Sequence, residues 1–419
     1  MASTRDDGDE PPHTSPSPPP PLFTLRPNPS LRGAVASLQF FSSVSSSPDY
    51  ECGPPSCSGN FIAACHGGFG GVDFHDLSSR RIAFTAGPFG PDESGISLRR
   101  FSKVSRRALF HVRPTNVMSG SSPGGGVVRV FDIERRDVAT HTFRTMHYGF
   151  CAATSASECR GFDGDGGNMI LLPEGEDGAT LRDLRSPPRN ATVSFRFGGP
   201  ERGSITSLAM ADSFSGSAVV AAGMEGGQVI FCDTRRASVD TSNEVLRLGR
   251  NPVLCLEMLS SSSKDGKIKA VAGTAGDAAE LLAQPSEERR TAFVLRSDKK
   301  SGLEIVGRHS TCSLSSGGRP GVSSCAMRSD GKICAVGGWD RRVRIYDTKK
   351  GKPLAVLAVT SGGSMLKKYD QNGSDLRTIS KSSVSALDFA TDKLGMLAAG
   401  YGDGRISVWN IFQQVARKS

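Results

Sequence analysis

From about residue 22 onward, apolar and polar positions recur in one repeating cycle. An apolar run leads into small residues and Gly, then a polar turn, then an alternating strand that closes on an aromatic and Asp or Asn. The clearest copy is Ile333-Cys334-Ala335-Val336-Gly337-Gly338-Trp339-Asp340-Arg341-Arg342-Val343-Arg344-Ile345-Tyr346-Asp347. Further copies span Met396 to Asn410, Val219 to Asp233 and Phe61 to Asp76. Weaker ones lie at Val127–Asp132, Ala179–Leu184 and Lys269–Asp277. A short apolar strand precedes most copies, as at Val35–Phe40, Ile205–Met210, Val253–Leu256, Val322–Met327 and Val384–Phe389. Seven units result, each roughly 50 to 64 residues long.

This pattern predicts strands in hairpins and no long helix. Small residues before the Gly let inner strands of neighbouring sheets approach closely, and Asp or Gly in the next turn supplies the hairpin geometry. The alternating third strand buries one face between adjacent sheets. No such unit is stable alone, so the ring must close. The expected fold is all-β, a seven-bladed WD40 β-propeller over residues 21–413, behind a disordered Pro/Ser-rich tail at 1–20 that ends in Pro18-Pro19-Pro20-Pro21. Leu22-Phe23-Thr24-Leu25-Arg26 is placed to serve as the outer strand of the last blade and clasp the ring. Two stretches break the repeat, Asp277 to Ser301 and Ser361 to Lys381, and both read as surface insertions.

Composition narrows the picture. The 49 glycines agree with many tight turns, and 37% hydrophobic residues suffice for a large core. The formal net charge of +9 raises nucleic-acid binding, but the basic residues are scattered and no stretch interleaves them with aromatics, so direct nucleic-acid contact is not expected. The densest basic run, Arg99 to Arg107, reads as a solvated strand and turn, with an import signal or an acidic-partner site as the sharper readings. The ten cysteines form no disulfide framework, and Cys65, Cys232, Cys255, Cys325 and Cys334 sit in apolar runs where a thiol packs as a small hydrophobe. Met1 to Glu10 is polar and acidic, and no run of about 18 apolar residues occurs, so neither a signal segment nor a membrane span is expected. Nucleus and cytoplasm are the expected compartments, with thiols reduced.

No motif in the chain assigns it a chemistry. Gly68-Phe69-Gly70-Gly71 is part of a dinucleotide-loop pattern, but no helix pattern follows, and a hairpin turn accounts for it. Asp163 to Asn168, with Glu174, faintly echoes a calcium loop interrupted by an apolar strand. Cys52, Cys57, Cys65 and His66 match no compact zinc spacing. No nucleophile elbow and no zincin pattern exists among the seven histidines. No cofactor, metal or catalysis is therefore expected.

The C-terminal repeats carry a more specific signature. Arg319-Pro320-Gly321-Val322, Arg328-Ser329-Asp330-Gly331-Lys332, Gly337 to Tyr346, Pro353-Leu354-Ala355-Val356-Leu357 and Leu397 to Trp409 together resemble the ASTRA-associated protein 1 family, whose animal members are the guanine nucleotide-binding protein β-subunit-like protein 1 proteins. Leu25-Arg26 and Asn168 to Pro173 agree with it. The resemblance implies a non-catalytic subunit associated with the TTT cochaperone complex, RuvB-like ATPases and phosphatidylinositol 3-kinase-related kinases, and in yeast with the chromatin-linked ASTRA assembly. One copy of the chain in a larger complex is the expected arrangement.

The competing reading is a substrate receptor of a cullin-4 ubiquitin ligase, whose members often carry Trp-Asp-x-Arg after a third strand. Trp339-Asp340-Arg341-Arg342 has those letters but falls in the turn before the strand, while Cys232 to Arg235 and Arg182 to Arg185 sit after third strands without the aromatic. For a scaffold of either kind, Trp339, Asp340, Arg341 and Arg342 are the candidate partner-binding residues, with a packed turn aromatic and a turn-stabilising carboxylate as the structural account of the first two.

Overall fold

In a computed structural model, the alternating runs form antiparallel strands. The structure describes residues 20–25, 33–41, 60–67, 71–86, 93–100, 107–114, 125–133, 139–147, 149, 151–155, 168–186, 193–199, 201–212, 218–234, 244–260, 268–276, 290–298, 302–311, 320–358, 383–390 and 395–411. The described residues contain 28 strands in seven four-stranded sheets and no α-helix. After β1 (Phe23–Leu25), blade 1 is β2 (Val35–Phe41), β3 (Phe61–His66), β4 (Val72–Asp76) and β5 (Arg81–Ala86). Blade 2 is β6 (Glu93–Arg100), β7 (Arg107–Pro114), β8 (Val127–Asp132) and β9 (Ala139–Arg144). Blade 3 is β10 (Thr154–Ser155), β11 (Met169–Glu174), β12 (Gly178–Asp183) and β13 (Val193–Arg196). Blade 4 is β14 (Ile205–Asp212), β15 (Ala218–Met224), β16 (Gln228–Asp233) and β17 (Glu244–Arg247). Blade 5 is β18 (Val253–Ser260), β19 (Ile268–Thr274), β20 (Ala292–Asp298) and β21 (Gly302–His309). Blade 6 is β22 (Val322–Met327), β23 (Ile333–Gly338), β24 (Arg342–Asp347) and β25 (Pro353–Ala358). Blade 7 is β26 (Val384–Phe389), β27 (Met396–Tyr401) and β28 (Ile406–Asn410), completed by β1.

The core lies between the sheets rather than within any one of them. The buried hydrophobics fall into seven clusters, one at each junction between neighbouring blades, including the junction of blade 7 with blade 1. The small-then-Gly motif explains how the sheets approach. A Cβ on Gly337 would meet Val384 at 2.5 Å, and one on Gly400 would meet Val35 at 2.6 Å, so the second strand of one blade is notched to seat the first inner-strand residue of the next. Between blades 1 and 2 the notch changes sides. Cys65 takes the place of the Gly, and Gly95 takes the place of the Val, with its Cβ position 2.4 Å from the Cys65 sulfur.

The ring closes as expected. β1 pairs with β28 in the register Phe23↔Val408 and Leu25↔Ile406, and the Leu22 N–H donates to the Val408 carbonyl at 2.7 Å. Leu25 is 1% exposed, and the Arg80 guanidinium of blade 1 lies 5.0 Å over the Phe23 ring. Because β1 brings only three residues into register, Leu25→Ala is expected to cost about 2–3 kcal/mol, read as a lower urea midpoint with an unchanged slope.

Two expectations are corrected. The stretch from Asp277 to Ser301 is not all insertion, because β20 lies inside it and supplies the third strand of blade 5. The sequence Ala292 to Asp298 does end on the closing Asp, but it stands 15 residues beyond Asp277, where a third strand is not sought. In the basic run from Arg99 to Arg107 the described ends do lie in strands, Arg99 and Arg100 in β6 and Arg107 in β7, but Arg99 and Arg107 are part-buried and paired with Glu257 and Asn168 rather than solvated. The expected tail, apart from Pro20, and the expected insertion at Ser361 to Lys381 lie outside the described residues.

Candidate partner-binding site

The turn between β23 and β24 carries the four candidate residues. Antiparallel order puts this turn on the same face as the blade-to-blade connections, because the chain enters each blade at that face and returns to it after the second strand. A two-strand reversal this tight needs one residue in the left-handed region. In blades 4 and 7 that residue is glycine, Gly227 at φ 80° and Gly404 at φ 84°, whose N–H groups donate to Met224 and Tyr401. In blade 6 the same place is held by Arg341 at φ 68°, its N–H donating to the Gly338 carbonyl at 3.2 Å. An L-residue in this region costs roughly 1–2 kcal/mol relative to glycine.

The neighbours explain how the turn tolerates that cost. Trp339 is half-buried and lies on Gly321, where a Cβ would meet the indole ring at 2.5 Å, and its N–H donates to the Gly321 carbonyl at 3.0 Å. The Asp340 side chain is 3% exposed. Its carboxylate accepts the Arg342 N–H at 3.3 Å and takes both terminal nitrogens of the Arg344 guanidinium, at 3.0 and 2.6 Å. Bidentate geometry of this kind holds the carboxylate firmly. Trp339 and Asp340 are thus built into the turn, whereas Arg341 and Arg342 stand half-exposed on its surface. No described acidic side chain pairs with Arg341, and sequence reasoning, which had a structural account for Trp339 and Asp340, had no means of separating it from Arg342.

At the opposite face the channel mouth is polar. Every inner strand contributes to its lining, among them Gln39, Arg99, Ser155, Met210, Glu257, Met327 and Asp388. Arg99 reaches from blade 2 to Glu257 of blade 5 at 3.2 Å, and Glu257 is the main cause that raises the guanidinium's proton affinity. Asp388 accepts the Phe40 N–H at 2.7 Å, tying blade 7 to blade 1. The basic run thus begins with an arginine that binds the ring together across its axis.

A further set of titratable groups is interior. His66 and Asp73 are both fully buried, 3.5 Å apart, and the Thr85 hydroxyl donates to Asp73 at 2.6 Å. Cys65, Cys151 and Cys334 are buried, and burial raises each thiol's pKa, that of Cys334 to about 12. A thiol so shifted is a packing group and not a nucleophile at neutral pH. Cys52, Cys57 and Asp163 to Gly167 lie outside the described residues, as do Gly68 to Gly70. Asn168 accepts from the Arg107 guanidinium at 2.8 Å. Among the described residues no group of three or more His, Cys, Asp or Glu could hold a metal ion.

The family model for the WD domain, G-beta repeat, matches residues 310–347, which span blade 6 through the third strand. Guanine nucleotide-binding protein subunit beta-like protein 1 of Mus musculus is 24% identical over 406 residues, covering 95% of this chain and 98% of the mouse protein. ASTRA-associated protein 1 of Verticillium alfalfae is 36% identical over 107 residues, but the match covers only 22% of this chain and 26% of the fungal one. Among solved structures, the Myceliophteria thermophila Cps50 (Swd1) β-propeller domain superposes with a TM-score of 0.56 at 14% identity, over 93% of this chain and 99% of that one. That likeness speaks for the fold alone. The chain is a seven-bladed WD40 propeller, and its sequence resembles the ASTRA-associated protein 1 family, with the likeness to the mouse β-like protein running almost end to end.

Proposed function

We propose that this chain is a non-catalytic scaffold subunit that supports TTT-dependent maturation of phosphatidylinositol 3-kinase-related kinases together with RuvB-like ATPases, in nucleus and cytoplasm, and that it joins a chromatin-linked ASTRA assembly. Two things support the reading. Several fungal relatives that match part of the chain are ASTRA-associated protein 1 by name, and the fold is of a kind that displays loops on a rigid ring. The observation that carries the choice of site is Arg341, an arginine kept in a left-handed turn position where sister blades have glycine. Strained backbone positions cluster at functional sites, and this one also carries a half-exposed charge.

The test separates binding from folding. Arg341→Gly relieves the strained φ while adding freedom to the unfolded chain, so stability is expected to stay within about 1 kcal/mol of the parent. Recovery of TTT subunits on the tagged chain from its own cells should nonetheless fall at least tenfold. Unchanged recovery with Arg341→Gly would remove the site and leave the scaffold. If the parent chain brought down the cullin-4 adaptor and no TTT subunit or RuvB-like ATPase, the maturation role itself would be wrong and the ligase receptor would replace it.

A further inference from the structure

The outer strands of a propeller are sheet edges, and an edge with unpaired backbone groups invites another strand unless charge or proline guards it. Most outer strands here are guarded. β9 exposes Thr140, Thr142 and Arg144, and β13 exposes Ser194 and Arg196. β25 differs. It is the last strand of its sheet, Leu354 is 56% exposed and Val356 37%, and Leu354-Ala355-Val356-Leu357-Ala358 carries no charge. Pro353 removes a donor only at its first position.

The end of that edge is strongly basic. Lys349, Lys350 and Lys352 in the β24–β25 turn are exposed, as is Lys332 in the adjoining β22–β23 turn, whose carbonyl accepts the Thr348 N–H at 3.0 Å. Lys269 of blade 5 reaches the same corner and donates to the Gly331 carbonyl at 2.7 Å. The two carboxylates nearby are already engaged. Asp347 accepts the Lys349 and Lys350 N–H groups at 2.7 and 2.8 Å, and Asp330 is paired with Arg328 at 2.6 Å. An apolar strand edge therefore continues into a corner with excess positive charge.

We infer that β25 is a docking edge for an extended acidic segment of a partner protein. The segment adds to blade 6 as a fifth strand, sets alternate apolar side chains on Leu354 and Val356, and places its carboxylates at Lys349, Lys350 and Lys352. A nucleic-acid backbone would use the lysines but has no call for Leu354 and Val356, so the pairing of both features selects a peptide. The corner lies on the face opposite Arg341, so the two sites can be lost separately.

A displayed library of random twelve-residue peptides, selected on the full chain, tests this. The expected winners alternate apolar residues and carry a cluster of Asp or Glu. Their affinity should fall at least tenfold with Leu354→Lys/Val356→Lys and at least tenfold with Lys349→Glu/Lys350→Glu/Lys352→Glu, all exposed positions, with the thermal midpoint unchanged. Failure to enrich any such sequence would overturn the inference. So would winners indifferent to Leu354→Lys/Val356→Lys. Binding of a 20-base-pair DNA duplex that is lost with the lysine variant and kept with the strand variant would make the corner a polyanion site instead. Dimerisation of the parent chain in sedimentation, abolished by Val356→Lys, would make the occupant a second copy.

Discussion

Acidification from pH 7 to pH 4 is expected to remove roughly 6 kcal/mol of folding stability through two histidines, about half from each, at about 1.36 kcal/mol for each pH unit in which the unfolded chain is protonated and the folded chain is not. His111 is 2% exposed, and burial, with lesser effects of Arg113 and His147, pushes its pKa down to about 3. Its Nδ1 accepts the Ala153 N–H at 3.1 Å, which places the neutral ring's proton on Nε2 and joins blade 2 to the entry of blade 3. His75 is 1% exposed, and burial lowers it to about 4, against a smaller opposing pull from Asp73. Both groups are neutral in the native state above pH 4, whereas the unfolded chain protonates them near 6.5. The unfolded state thus binds more protons in this window, and stability falls as pH falls through it. The carboxylates of Asp76 and Asp183, which hydrogen bonds hold below their ordinary range, lose their contribution only at more acid pH. Urea midpoints followed from pH 7.5 to 4 should decline steeply below 6.5. In His111→Asn, whose side-chain oxygen can still accept the Ala153 N–H, the decline should be shallower by up to one proton, whatever its stability at pH 7. A flat profile in the parent chain would mean that these rings are hydrated in solution.

Loss of Asp340 is the second large effect. Asp340→Ala is expected to destabilise the chain by about 3–5 kcal/mol, because Arg344, itself 9% exposed, would remain as a buried cation without its bidentate partner. The turn would also lose the carboxylate that receives the Arg342 N–H just where Arg341 sits in a left-handed conformation. Thermal or urea unfolding measures the effect. The double variant Asp340→Ala/Arg344→Leu should recover much of it, since a hydrophobic side chain leaves no charge to compensate. Equal losses in the single and double variants would show that the turn contact, and not the ion pair, carries the stability. The outcome also governs how binding data on this turn are read. A partner lost with Asp340→Ala reports on folding, while one lost with Arg341→Gly reports on the surface.

The two arginines of this turn show where sequence reading ends. The blade itself was legible, because Ile333 to Asp347 states its own strands: small residues need a close neighbour, alternation needs two faces, and Trp339-Asp340 needs a turn. The same local rules gave the clasp at Phe23–Leu25, an alternating segment without a blade of its own. They did not give β20, displaced beyond a long irregular stretch, nor the inner strands β6 and β10, the first of which ends inside a basic run and the second of which is only two residues long.

What the sequence determined by itself was the repeat and hence the closed all-β ring, since periodicity of two and the placing of Gly are properties of neighbours along the chain. The tertiary structure alone decided which charges are interior. Arg99 meets Glu257 across 158 residues, and Asp388 meets Phe40 across 348, because ring closure brings the ends of inner strands to one axis. It also decided that Arg341 and not Asp340 is presented outward, and that β25 is an apolar edge beside a basic corner. Those facts depend on φ, burial and the approach of separate blades, and none of these is written in the spacing of residues along the chain.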